Sequence, residues 1–400
     1  MQAQRVLLLA ALAGAVAGCA VFHRTPSSRL SREFRTTEVR SVAIVLDAGD
    51  QSRVPADNAL NMLRLMLLCR GYRPFSLSPG RASDLSARRL GADAVLSVNL
   101  GFQWQAVTEK RGWPVYDYVI EVPRVSVAAS MHRTSDGRTL LNGSFAKGGL
   151  DLRTGGPPAV VEDEWRLVLE GLTATLAALP IRAAALDSSV RQVNATVAAD
   201  EEYRRAEGWE RQATGRVEGG SRILETELGL ALAVRGPIRP WVSADEPHRL
   251  PEHLASLERQ VPPDGAEIVI GLTAQQGIVP DSSHGVPAGV SQPFGRAVLV
   301  RQGEPLAGLP ELARVMESAA IAREVSHLFG AIPTKGAASG DVLGFDDRTR
   351  RIVALTRGRS FEAGDVLHVD AKPLVEIYRS AGAEGLRFLG IVEGGHVPDR

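Results

Sequence analysis

The stretch GLPELARVMESAAIAREVSHLFG, residues 308–330, constrains this chain's fold more than any other. Pro310 stands where a first-turn proline is tolerated, and Gly330 stands where a helix ends in a left-handed turn, so one long helix is predicted between them. Arg323 and His327 are four residues apart and share a face with Met316, Ala319 and Ala320, while Val325 and Leu328 point the other way, toward a core. Two histidines at that spacing would hold one zinc ion, with the glutamate beside the first acting as general base on the metal-bound water. This chain offers Arg323, Glu324 and His327 instead.

The segments around that helix alternate between strand and helix patterns. SVAIVLDA at 41–48 reads as a buried strand, 57–69 as a helix stopped by Gly71, 73–77 as a short strand and 82–90 as a small helix. A strand at 93–104 follows, then strands at 119–131 and 139–145 around the turn Ser135-Asp136-Gly137, and an amphipathic helix at 162–179 after the chain break TGGPP. A second run has a strand at 195–199, a helical stretch from 201 to 228 interrupted at Gly219-Gly220, a strand at 230–234, a helix at 251–259 and strands at 266–273 and 296–301. The Gly-, Pro- and Ser-rich segment 275–293 reads as a surface loop. The expectation is an α+β protein of two domains, 41–180 and 195–400, joined by a linker at 181–194.

The second half, from about residue 195 to 380, resembles the metzincin branch of the zincin metallopeptidases. Glu324, Leu328-Phe329, His327 and Gly330 carry the resemblance, together with the element order. The family pattern is His-Glu-x-x-His-x-x-Gly-x-x-His, giving three zinc ligands and a base. Position by position, the first ligand falls on Arg323, the base on Glu324, the second ligand on His327, the glycine on Gly330 and the third ligand on Pro333. The methionine turn of the family has Ser339-Gly340-Asp341-Val342-Leu343 as its counterpart, with no methionine.

A catalytic zinc needs three protein ligands plus an open position. Arg323 is a permanent cation and Pro333 has no donor, so two of the three positions are lost. The resemblance therefore implies a zincin-like domain in which Glu324 and His327 are vestigial. His248, His253, His284, Asp341, Asp346 and Asp347 are the residues from which a metal site could be rebuilt, and none has ligand spacing with His327. A buried Arg323 would need a carboxylate, with Asp341, Asp346 and Asp347 as candidates.

The N-terminus points to the envelope. A basic leader, Met1 to Arg5, precedes the apolar run VLLLAALAGAVA at 6–17, which suits a signal peptide and is too short to span a bilayer. Val16-Ala17-Gly18-Cys19 resembles the lipobox of bacterial lipoproteins. In that family the leader, here 1–18, is removed and the cysteine, here Cys19, is lipidated; residues 19–40 would then be anchor and tether. Ala20 lacks the acidic character linked to inner-membrane retention, so the resemblance implies an outer-membrane anchor facing the periplasm. With Cys19 modified, Cys69 has no disulfide partner and reads as a buried core residue.

The 46 basic and 46 acidic side chains balance, which argues against nucleic acid as a partner. Arg348, Arg350, Arg351, Arg357 and Arg359 read as a solvated surface turn. Three functions follow: a membrane-anchored module that binds a peptide or protein partner without catalysis and without a cofactor; a zinc-dependent peptidase using Glu324, His327 and unconventional ligands; or a structural lipoprotein of a secretion or envelope assembly.

Overall fold

A computed structural model describes residues 24–49, 52–77, 84–111, 116–148, 150–151, 160–161, 163–182, 189–243, 249–275, 288–303, 309–332, 343, 345–361, 371–381 and 385. The leader and Cys19 lie outside these residues, as do His248, His284, Pro333, Asp341 and the break at 154–158. The fold is mixed helix and sheet, of the α+β kind, with two mixed sheets. The chain divides into two compact units, residues 1–64 with 73–180, and residues 65–72 with 181–400.

The first unit is built from β1 (Arg24–Leu30), β2 (Ser41–Ala48), α1 (Ala56–Cys69) up to Arg64, β3 (Arg73–Leu77), α2 (Asp84–Arg89), β4 (Ala94–Arg111), β5 (Tyr116–Arg133) and β6 (Thr139–Gly148). A two-residue pair, β7 (Leu150–Asp151) with β8 (Val160–Val161), and the helix α3 (Glu164–Thr175) complete it. Its sheet runs β1-β6-β5-β4-β2-β3, with β2 parallel to both neighbours and the remaining pairs antiparallel. Parallel strands are covered on both faces, which is why Val42 to Leu46 of β2 are buried in succession instead of alternating.

Three expectations change here. The tether at 19–40 contains β1, because Ser27 to Leu30 pair with Leu141 to Ser144 at the sheet edge. The strands at 93–104 and 119–131 extend to Arg111 and back to Tyr116 as a two-stranded ribbon beyond the end of β6. The sequence of that extension shows no hydrophobic alternation, since Gln105, Thr108, Glu109 and Lys110 are polar. Pro123 fits within β5 because β6 pairs only from Arg124 onward, so the missing N–H leaves no ladder bond unmade on that side. The helix at 162–179 is shorter, Glu164–Thr175, starting where the Asp163 side chain accepts from Trp165 N.

The second unit begins with β9 (Arg191–Ala199), α4 (Glu201–Arg204), α5 (Trp209–Leu228), β10 (Leu230–Val234) and β11 (Arg239–Pro240). It continues with α6 (Leu250–Gln260), β12 (Ile268–Thr273), β13 (Gly289–Ser291), β14 (Ala297–Arg301), α7 (Pro310–Leu328), α8 (Asp347–Thr356) and α9 (Ala371–Ser380). The sheet runs β10-β9-β12-β14-β13, parallel except for β13, with β11 also paired to β9. Val269, Ala297 and Leu299 meet Trp241, Leu250, Leu254 and Leu257 on the α6 face. Strand alternation sends Ile268, Ile270, Val298 and Val300 to the opposite face, where α5 and α7 pack together.

The helical stretch 201–228 breaks at Gly208, which is left-handed at φ 66°, and not at Gly219-Gly220. Those two glycines lie inside α5 because α7 crosses there: a Cβ on Gly220 would stand 2.9 Å from the Ile321 side chain. The expected linker at 181–194 is shortened by β9, which starts at Arg191. The basic residues 348–351 form part of a helix, α8, and not a turn: Arg350 pairs with Glu227 and Asp347.

Candidate functional site

Helix α7 is buried on every side from Glu317 to Leu328 except at Arg323. Its C-terminal end is held by several partners. Gly330 N donates to His327 O at 2.8 Å, and Gly330 is left-handed at φ 79°. A Cβ there would collide with the Phe294 ring and the Tyr378 hydroxyl, which itself donates to Gly330 O at 2.8 Å. The Arg359 guanidinium donates to Leu328 O and Phe294 O and stacks on Phe361 at 4.3 Å, a cation at a helix C-terminus. Burial, then the nearby Arg296 charge, lowers Arg359 to about 10.

Within that frame Glu324 and His327 meet Ser291 of β13. Ser291 Oγ donates to Glu324 Oε2 at 2.7 Å and lies 3.3 Å from His327 Nδ1, and the same Glu324 oxygen lies 3.3 Å from Nδ1. Burial alone pushes the Glu324 carboxyl up. The hydrogen bond and charge of His327, the Ser291 hydroxyl and the Arg323 charge outweigh it, so the net direction is down and the group is a carboxylate at neutral pH. β13 positions the serine by period two: Val290 packs on the α6 side, while Gly289 and Ser291 face α7. A Cβ on Gly289 would approach Glu324 Cγ to 2.7 Å, so only glycine lets the edge strand come this close to the carboxylate.

Arg323 is exposed, and no described residue forms an ion pair with it. Of the carboxylates proposed for it, Asp341 lies outside the described residues, Asp346 caps α8 through Thr349 N at 2.8 Å, and Asp347 pairs with Arg350. His253 is buried on α6, on the far face of the sheet from α7. The sequence does not single out Ser291 or Gly289, and it places Arg359 in a solvated surface turn, whereas its guanidinium holds the end of α7. The first two fall in the predicted surface loop 275–293, of which 276–287 lie outside the described residues; a three-residue strand is too short to show alternation.

Among the described residues no group of three or more His, Cys, Asp or Glu converges on one point. The Glu324 oxygen that faces His327 is taken by Ser291, Arg323 is an exposed guanidinium, and Pro333 has no side-chain donor. These residues do not fit a catalytic zinc ion, which takes three protein ligands and an open position, and no zinc chemistry follows from them.

No protein-family model matches the chain, and no curated protein matches it. Among solved structures it is similar to archaemetzincin from Methanopyrus kandleri, at 16% identity over 42% of this chain and 97% of that one, with a TM-score of 0.32. It is similar to a PelC dodecamer variant from Paraburkholderia phytofirmans, at 16% identity over 40% of this chain and 99% of that one, with a TM-score of 0.29. Lipoprotein GNA1162 from Neisseria meningitidis matches at 18% identity over 29% of this chain and 88% of that one, with a TM-score of 0.19. Likenesses this weak carry no argument about what the chain does.

Proposed function

We propose that the second unit is a peptide-binding module that works without a metal. An extended segment of a peptide or protein partner would add to the outer edge of β13, with Glu324, His327 and Ser291 as its polar contact. One observation carries this reading: Ser291 bridges the two family residues, and it sits on a strand that, among the described residues, pairs on one side only. An unpaired edge offers main-chain donors and acceptors to an incoming strand, the usual basis of β-augmentation. Glu324 is held as a carboxylate by neighbours already in place, so it can accept a donor from a ligand without reorganising.

The test is binding of a panel of blocked peptides, about six residues long, to the full chain. Ser291→Ala and Glu324→Gln should weaken the best binder about tenfold, with no peptide cleaved. Cleavage that is abolished by chelators and by Glu324→Ala would replace this reading with the peptidase one. Equal binding by the wild type and both variants would remove the cluster from the contact.

The second part of the proposal is attachment to the cell envelope through a lipid on Cys19, supported by the order of basic leader, apolar run, small residues and thiol. Incorporation of labelled palmitate that persists in Cys19→Ser would contradict it.

A further inference from the structure

The first unit holds a cavity of about 600 Å³ that the peptide-binding reading does not use. Its lining includes Arg53, Trp104, Glu121, Asp163, Glu164 and Trp165, with Asn58 beside them. Trp104 and Glu121 come from the β4–β5 ribbon, where Trp104 is register partner of Pro123 and Glu121 lies two residues along on the same face. Glu164 and Trp165 open α3, and Asn58 lies in the first turn of α1.

The chemistry of the lining is aromatic and acidic. Two indoles and three carboxylates surround one cation. That cation, Arg53, sits with its guanidinium carbon 3.7 Å from the Trp104 ring centroid and an N–H 2.7 Å from Glu121 Oε2. Its main chain is pinned separately, since Arg53 N donates to Glu164 Oε1 at 3.1 Å, so the side chain can swing without moving the backbone. The pair is also weakly held: the Arg53 and Glu121 side chains are 63% and 62% exposed, and exposed pairs are worth little. A tryptophan face beside a carboxylate recognises an organic cation, and here a residue of the chain itself occupies that position.

We infer that this cavity binds an external guanidinium or primary ammonium group, with Arg53 as the intramolecular stand-in that the ligand displaces from Trp104 and Glu121. The proposal is independent of the reading of the second unit. The cation could be a basic side chain of a peptide or a free polyamine, which share this chemistry.

The experiment follows the indole N–H resonances of Trp104 and Trp165 in the full chain. The probes are a blocked arginine tripeptide, a blocked lysine tripeptide, spermidine and a matched citrulline tripeptide. The cations should shift both resonances and citrulline should not. Trp104→Ala and Glu121→Gln should weaken the best cation about threefold or more, and Arg53→Ala should strengthen it by a similar factor because the competitor is gone. Glu121 is exposed on the ribbon, so its variant reads the site even where Trp104→Ala disturbs the fold. Tightest binding by spermidine points to a free polyamine, and tightest binding by a peptide points to a protein side chain. Equal shifts with citrulline, no shift with any cation, or binding unchanged or weakened by Arg53→Ala would overturn the proposal.

Discussion

Glu324 shows how neighbouring side chains hold a buried carboxylate in its charged form. A buried carboxylate costs free energy unless it is hydrogen-bonded, and here Ser291 and His327 supply the partners. Ser291→Ala leaves a buried acceptor short of one donor, which should destabilise the second unit by about 1–3 kcal/mol in urea unfolding at pH 7. The pH dependence has a definite sign. Glu324 is depressed when folded, so its stabilisation is present above the unfolded carboxyl range and is lost as pH falls through the folded value. Ser291→Ala should lose less at acid pH than at neutral pH; an equal loss at both would mean that Ser291 acts through packing alone. Glu324, His327 and Gly330 are legible in the sequence because they keep a spaced pattern. Ser291 is not, because its role depends on an edge strand that only the β14 ladder defines.

At the scale of elements, α5 and α7 meet through a buried pair. Arg216 Nε lies 2.5 Å from Glu317 Oε2, Arg216 also donates to the Tyr203 hydroxyl, and Ser318 Oγ donates to Arg216 O at 3.0 Å. Burial pushes the Glu317 carboxyl up to about 7, with Arg216 only partly offsetting it, and leaves Oε1 without a partner among the described residues. Asp200, buried between β9 and β12, rises to about 6 for the same first reason. The folded state therefore binds more protons than the unfolded state across this range. Stability contributed by these groups is complete below the unfolded carboxyl range and lost as pH rises through 6 to 7. Between pH 5 and pH 8 the unfolding free energy should fall, and Glu317→Gln should remove on the order of 2 kcal/mol of that fall; an unchanged slope would contradict the assignment. Strands β2, β3, β10, β12 and β14 and helices α1, α6 and α7 are close to legible from periodicity, because their buried positions recur at 2 or 3.6 residues or run continuously. Strand β1 and the outer ribbon are defined by backbone pairing and their sequences carry no hydrophobic alternation, so hydrophobic pattern misses them. The pair Gly219-Gly220 misleads for the opposite reason: glycine there makes room for a crossing helix and does not break one.

At the scale of the molecule, two compact units with separate sheets would ride on one anchor, and no helix among the described residues is long and apolar enough to cross a membrane. The lipobox resemblance remains the argument for attachment, and its residues lie outside those described. The central claim is that Ser291, and not a metal, partners Glu324 and His327. Its most direct test is the zinc content of the full chain after incubation with excess zinc and exhaustive dialysis. The account predicts well under one ion per chain, unaffected by Glu324→Gln, because three donors are needed and the cluster brings at most two. One tightly held zinc per chain, lost in His327→Ala, would contradict it.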